Sequence, residues 1–437
     1  MGCDMVVALD GATTQGRAIF GQNTGRPSNE PQRLHRAAGR AYTAGETLRI
    51  GQVDLTQPRC TYTAVGAQAA GMWGYHCGIN EKHLAIGCAH TRTKFAKGAQ
   101  GLQATDLVRL GLERSTSARQ AVDLITDLLA RHGQAAGNGG PATDGSFLVA
   151  DGREAFALET SGRYWVLQEV CEVRAMSDQC TIRQDWNRIA PGLAGDAIER
   201  GWWPEDGSKI DFAGALGFPV EPPATSMRRW GRATFLLQEQ NGHIDQAFLR
   251  RLLSDHGEES KQLSGPGAAL CEHARARATT RTVASMVAEL DAAADALAVV
   301  WCAFGPPCLG IYCPVFLAGS LPEPFSDGAL HRLAETLWSL ADEELRPSIE
   351  RPRTPRVEAG STRLAAAREQ VARLQEQFDQ QAGEFHQEAV ELQHRREEAE
   401  LQRQATLFHQ HMLESFEKTM EDLMGERLPA SSAVVAW

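Results

Sequence analysis

The chain has 437 residues, 43% of them hydrophobic, and a net charge of −11 with its acidic residues spread along the sequence. That length allows two or three domains, or one large α/β domain with an extension, and the acidic balance disfavours nucleic-acid binding. No apolar run approaches the ~20 residues of a membrane span, and no basic-then-apolar signal peptide opens the chain, so a cytoplasmic protein without membrane contact is expected. Met1-Gly2 invites a myristoylation reading, but Val6 stands where that motif wants Ser or Thr.

In chain order, Met5–Leu9, the turn residues 11–16 and Arg17–Gly21 read as a hairpin. Cys60–Val65 and His83–Cys88 are further strand candidates, and Asp106–Leu112 reads as helix. Ser117 has the position of an N-cap with Gln120 three residues on, the capping-box spacing. The helix it starts carries Ala121, Leu124, Ile125, Leu128 and Leu129 on one face and stops at Gly133. Ser146–Ala150, Ala155–Glu159 and Tyr164–Gln168 form an antiparallel meander. Strands cluster, then helices, then strands, which is an α+β pattern with antiparallel sheets. No Gly-rich phosphate loop follows any strand. We divide the chain into a domain over 1–345, a Pro-rich linker over 346–360 and an amphipathic helical segment over 361–428. In that segment Leu364, Val371, Phe378, Phe385 and Leu392 recur every seven residues. It packs either on its own domain or, as a homo-oligomer, on another copy.

Ten cysteines without a Cys-x-x-Cys pair do not make a disulfide framework in a chain this long. Cys302, Cys308 and Cys313 read as buried thiols. His76, Cys77, His83, Cys88 and His90 have metal-ligand types, but their spacing fits no zinc pattern, and neither metal nor cofactor is expected. Cys3 is different. As the first residue of a processed chain it would supply a thiol nucleophile and, in its α-amine, a base titrating near ~7.7–8.0.

From Cys3 to about Phe325 the chain resembles the secernins, in the cysteine dipeptidase branch of the N-terminal-nucleophile hydrolases. The likeness is carried by residues 3–9, by Phe20-Gly21-Gln22-Asn23-Thr24-Gly25-Arg26-Pro27 with Glu30, by Met72-Trp73-Gly74 and by Gly78-Ile79-Asn80-Glu81-Lys82. It continues through 106–114, Leu158-Glu159-Thr160-Ser161-Gly162-Arg163, Asp185-Trp186, Pro191-Gly192-Leu193 and Gly201-Trp202-Trp203. The resemblance implies a four-layer α/β/β/α sandwich of two antiparallel sheets and hydrolysis of small peptides or amides by Cys3, after removal of Met1 and Gly2. By family position, Gln22, Asn23, Gly25, Arg26, Cys88 and Asp178 line the site.

Three of these depart from the family pattern. Gly25 stands where relatives place an Asp that orients the nucleophile. Cys88 replaces an oxyanion-binding Asn, and Asp178 replaces another Asn, putting a carboxylate where negative charge develops. Arg26, His83 or His90 could stand in. The expected function is therefore a dipeptidase or amidohydrolase, impaired by these changes. The alternative is an inactive relative that keeps the fold as a binding or interaction protein, and a metal-dependent hydrolase on the histidine cluster ranks below both. Cys271-Glu272-His273-Ala274 lies where relatives have Cys-x-His-Ala, and a structural role is expected for it.

Overall fold

The computed structural model describes residues 2–95, 101–135, 144–218, 225–257, 269–273, 280–293, 296–345 and 357–425. β1 (Asp4–Ala8) and β2 (Ala18–Pro27) form the expected antiparallel hairpin, with Val6 opposite Gly21. β3 (Gln32–Ala37) follows, then a ribbon of β4 (Thr47–Ile50) and β5 (Val53–Thr56), then β6 (Ala64–Ala69), β7 (Cys77–Asn80) and β8 (Ala85–Thr91). Helices α1 (Ala104–Arg114) and α2 (Ala118–His132) lead to the meander β9 (Asp144–Ala150), β10 (Ala155–Ser161) and β11 (Tyr164–Glu169). β12 (Val173–Met176) and β13 (Arg188–Ile189) precede α3 (Leu193–Glu199), α4 (Phe212–Leu216), α5 (Thr225–Glu239) and α6 (Gln246–Leu253). β14 (Thr280–Leu290), β15 (Val299–Phe304) and β16 (Cys313–Phe316) complete the strands, and α7 (Glu323–Ser326), α8 (Ala329–Leu345), α9 (Val357–His394) and α10 (Glu398–Met424) the helices.

The strands make two large sheets, ordered β12-β1-β2-β14-β15-β16 and β13-β11-β10-β9-β8-β7-β6-β3. Their pairings are antiparallel. Side chains alternate across each strand, so β1 serves two cores. Met5 and Val7 join Phe20, Val65, Ile79 and Leu148 between the sheets, while Val6, Ala8 and Ile19 face Leu237, Leu249 and Leu253 of α5 and α6. On the far side of the eight-stranded sheet α1 and α2 pack through Leu107, Leu110, Val122 and Ile125. These layers are the expected α/β/β/α sandwich.

Local signals explain several boundaries. Ser117 Oγ accepts the Gln120 N–H at 3.3 Å and starts α2. The Gln120 side chain bonds Thr116 instead of returning to Ser117, so only half of the capping box forms. Gly133 ends α2 at φ +70°, a left-handed value that glycine adopts without a Cβ clash. The expected strand at His83–Cys88 begins at Ala85 instead, because His83 holds φ +56° in the β7–β8 turn, with its ring bonded to Ala296 O and to the Asp291 N–H. The Cys60–Val65 strand begins at Ala64, since Thr61 N–H pairs with Arg40 O outside the sheets.

The seven-residue repeat of α9 meets its own domain. Phe385 packs edge-on to Phe316 at 4.7 Å and stacks on Phe408 of α10 at 5.0 Å. Gln375 brackets the Tyr312 backbone, and His409 accepts the Phe316 N–H at 3.0 Å while its Nδ1 meets Ser320 O at 2.8 Å. Most of the expected linker, 346–356, falls outside the described residues, and α9 is already helical at Val357. No helix among the described residues is long and apolar enough to cross a membrane.

Candidate active site

Sheet register assembles the site around Cys3. β1 lies between β2 and β12, with Met5 opposite both Gln22 and Met176. One step back along this register brings Ser177 to Asp4, and another brings Asp178 to Cys3. Ser177 Oγ donates to Asp4 Oδ1 at 2.5 Å, and both Asp178 carboxylate oxygens accept the Cys3 backbone N–H at 3.1 Å. Asp178, expected at an oxyanion position, instead holds the nitrogen that processing would convert to an α-amine.

Sequence reasoning missed the residue that anchors this carboxylate. Arg229 of α5 is 2% exposed and donates to three acids: Nε to Asp4 at 3.0 Å, Nη2 to Asp178 at 2.9 Å and Nη1 to Glu272 at 2.9 Å. Three carboxylates against one guanidinium leave an excess of two negative charges if all are ionised. Such a cluster sheds charge by keeping protons. Burial, with Asp4 adding to it and Arg229 opposing it, pushes Asp178 up to about 7. Burial likewise raises Asp4 against the pull of Arg229 and Ser177. The visible signal was an arginine at helical spacing with Ser226, Ala233 and Leu237 on the buried face of α5.

The Cys3 thiol is held in its protonated form. Burial and the neighbouring Asp178 push it up to about 12, against a hydrogen bond from the Gly25 backbone and the charge of Arg26. Gly25 lies against Gly2, and a Cβ built on Gly25 would collide with the carbonyl oxygen, carbonyl carbon and nitrogen of Gly2. The side chain missing at position 25 thus makes room for the residue that precedes Cys3. Gly2 is confined from its other side too, where an added Cβ would strike the Glu272 carboxylate.

The other expected residues divide by the face of β2 they occupy. Gln22 points between the sheets and donates to His76 O at 3.2 Å and Cys88 O at 3.3 Å. Asn23 points the other way, into the loops after α6, donating to Leu253 O at 2.8 Å and Leu270 O at 3.0 Å. It supports the site from behind instead of lining it. Arg26 is forked onto Glu30 at 2.6 and 2.7 Å. Its charge is felt at Cys3, Cys88, His76 and His90. Burial drives both histidines down, His90 to about 4, with Arg26 adding to the effect, so they are neutral imidazoles at pH 7. Burial and the neighbouring Cys3 and Cys77 raise the Cys88 thiol well above its usual value. His83 lies in its structural turn. Among the described residues His76, Cys77, His83, Cys88 and His90 do not converge as a ligand set.

Residues 45–184 match the model of Peptidase family C69, the secernin and dipeptidase family. The matched span contains His76, Cys88 and Asp178; Cys3, Gly25 and Arg229 lie outside it. Solved structures that the chain resembles include two variants of the conjugated bile acid hydrolase from Clostridium perfringens. One is 12% identical with a TM-score of 0.37, the other 13% identical with a TM-score of 0.41, and each match covers 69% of this chain and 89% of that one. A Caenorhabditis elegans ortholog of N-acylethanolamine-hydrolyzing acid amidase is 12% identical with a TM-score of 0.35, over 65% of this chain and 91% of that one.

Proposed function

We propose that this chain, with its Peptidase family C69 segment, is a cysteine-dependent hydrolase of peptide or small amide bonds whose nucleophile is Cys3, uncovered by removal of Met1 and Gly2. The observation that carries the reading is the two-oxygen grip of Asp178 on the Cys3 nitrogen, with Gly2 seated against Gly25 beside it. In the first reaction Cys3 Sγ attacks the Gly2 carbonyl carbon. A thioester forms, the bond from that carbon to Cys3 N breaks, and the nitrogen takes the thiol proton. Water then hydrolyses the thioester. In each later turnover the thiol proton passes to the freed α-amine and on to the leaving amine of the substrate, with a second thioester between attack and hydrolysis. Direct ionisation is closed to a thiol raised to about 12, so proton transfer to the adjacent amine is the route this site favours. Arg26 supplies positive charge near the position where Cys88 replaces an amide donor.

A second reading, an inactive binding protein, draws on the burial of Cys3 and its protonated thiol. Intact-mass measurement of the purified full chain separates the two. A mass beginning at Cys3, with hydrolysis of some member of a dipeptide panel, supports the hydrolase. A chain that retains Gly2 and cleaves none overturns it. Cys3→Ala is expected to keep Gly2 attached and to lose on the order of 10⁴-fold or more in rate.

A further inference from the structure

Four metal-ligating side chains outside the Cys3 site converge from three separate loops. His256 follows α6, Cys271 and His273 flank Glu272, and Cys308 sits in the turn between β15 and β16. Each offers one ligand atom, and these atoms all lie within 4.8 Å of one another. His273 Nε2 is 3.3 Å from Cys271 Sγ and 3.3 Å from Cys308 Sγ. The His256 and His273 rings meet with centroids 4.7 Å apart, inclined at 70°. For tetrahedral zinc, with Zn–S near ~2.3 Å and Zn–N near ~2.0–2.1 Å, the S···N edge is about 3.5 Å. Two edges of the cluster, both 3.3 Å, already lie close to that length. We infer that His256, Cys271, His273 and Cys308 form a closed Cys₂His₂ zinc site.

The surroundings favour a metal over the other uses of two thiols and two imidazoles. The donor set is sulfur and imidazole without a carboxylate among the four, which suits zinc. Two thiolates neutralise a divalent ion, so the filled cluster carries no net charge into a largely buried place. Trp338 of α8 covers His273 at 4.2 Å, and Leu309 packs with Trp338 beside Cys308. That cover shields one side of the site, and four protein ligands fill every position of a tetrahedral ion, as in structural rather than catalytic zinc centres. The loops are held independently of any ion. Asp255 O accepts the N–H groups of Leu270 at 2.9 Å and Cys271 at 3.1 Å, Arg232 forks onto the Asp255 carboxylate at 3.0 and 2.8 Å, and Asn23 ties Leu253 O to Leu270 O. A Cys271–Cys308 disulfide would instead leave both imidazoles facing sulfur without a task.

Such an ion would fix Glu272, which lies between two ligands and pairs with Arg229. This consequence rests on the Cys3 reading, whereas the zinc site itself does not.

The test uses the full chain purified without chelators. Elemental mass spectrometry is expected to find one zinc per chain. After chelation under reducing conditions, added Co²⁺ is expected to give thiolate charge-transfer and tetrahedral d–d absorption that saturates at one equivalent. Cys308→Ala is expected to lose both the zinc equivalent and the cobalt spectrum; if that variant does not fold, the cobalt titration of the unaltered chain decides alone. Zinc absent at purification but a full cobalt spectrum supports the site. Substoichiometric zinc together with no thiolate bands overturns it, as does a Cys271–Cys308 cross-linked peptide two hydrogens lighter than the reduced pair. None of these readings needs a substrate or Cys3, so they stand apart from failure of the hydrolase.

Discussion

Cys3 and Cys308 sit at the two ends of one polar chain and are driven in opposite directions. At Cys3 burial dominates, an acid stands alongside, and the thiol is pushed up to about 12. At Cys308 a hydrogen bond from Cys271 leads, His256 and His273 add theirs against burial, and the thiol is pulled well below its usual value. Between the two run Glu272, Arg229 and Asp178. Position in the fold, not residue type, decides whether a cysteine keeps its proton for a nearby base or gives it up to become an anionic ligand. On the readings proposed above, the first cysteine serves a reaction and the second serves as a ligand.

The comparison breaks most sharply at Asp178. Asp178→Asn removes the carboxylate from the Cys3 nitrogen and is expected to slow processing and turnover by ~10²–10⁴-fold, read by mass and by peptide hydrolysis. Zinc content should not change, because the substitution lies two links from the cluster. The pH behaviour carries a sign. The folded state keeps the Asp178 proton up to about pH 7, whereas the unfolded chain releases it near 3.8. Its contribution to stability is therefore fully present below 3.8 and is lost as pH rises through about 7, opposite to an ordinary salt-bridged carboxylate. Asp4, raised in the same direction, remains in the variant, so denaturation at pH 5 and pH 8 should show a larger loss in the unaltered chain than in the variant.

Arg229→Met cuts the chain at its centre. It leaves Asp4 and Asp178 buried without their shared cation, which costs ~3–5 kcal/mol when one partner of a buried pair is removed. Urea denaturation should register that loss. If the variant is as stable as its parent, the carboxylates are neutral in the fold and the coupling between the two cysteine sites is not electrostatic.

What the sequence made legible followed from local rules. Short apolar runs between turn signals marked Met5–Leu9 and the β9–β11 meander, helical spacing and Ser117 marked α2, and position marked Cys3. What stayed hidden depended on pairing between distant segments. Asp178 read as a misplaced charge until β1 and β12 came into register and put it on the Cys3 nitrogen. Arg229 was not singled out at all, because its three acids come from positions 4, 178 and 272. Cys308 was grouped with Cys302 and Cys313 by proximity in sequence. Cys302 and Cys313 are paired across β15–β16, whereas Cys308 lies in the turn and faces His273. The repeat of α9 was plain, but a repeat does not say which surface covers it.

Gly25→Ala separates the state before processing from the state after it. With Gly2 in place the added methyl has no room, and overpacking of this kind costs ~1–3 kcal/mol. The substitution is therefore expected to destabilise a Cys3→Ala chain, which keeps Gly2, and to cost less than ~1 kcal/mol in a chain produced with Cys3 first. Equal losses in the two backgrounds would mean that Gly2 does not occupy the space beside Gly25.

The smallest effect is expected where neither cysteine is involved. Arg250 of α6 forks onto Asp379 of α9 at 2.7 to 3.0 Å, but the carboxylate is 43% exposed. Exposed pairs contribute ~0.2–1 kcal/mol, so Asp379→Ala should lower stability by no more than that. It should leave both the zinc equivalent and turnover unchanged. The arm is held mainly by Phe378, Phe385 and Phe416, all buried, and its face is spent on its own domain. A larger loss, or a change of oligomeric state in size-exclusion chromatography, would mean that the charged edge of α9 orders more than its own side chains and ties the arm to the α6 loop that carries His256.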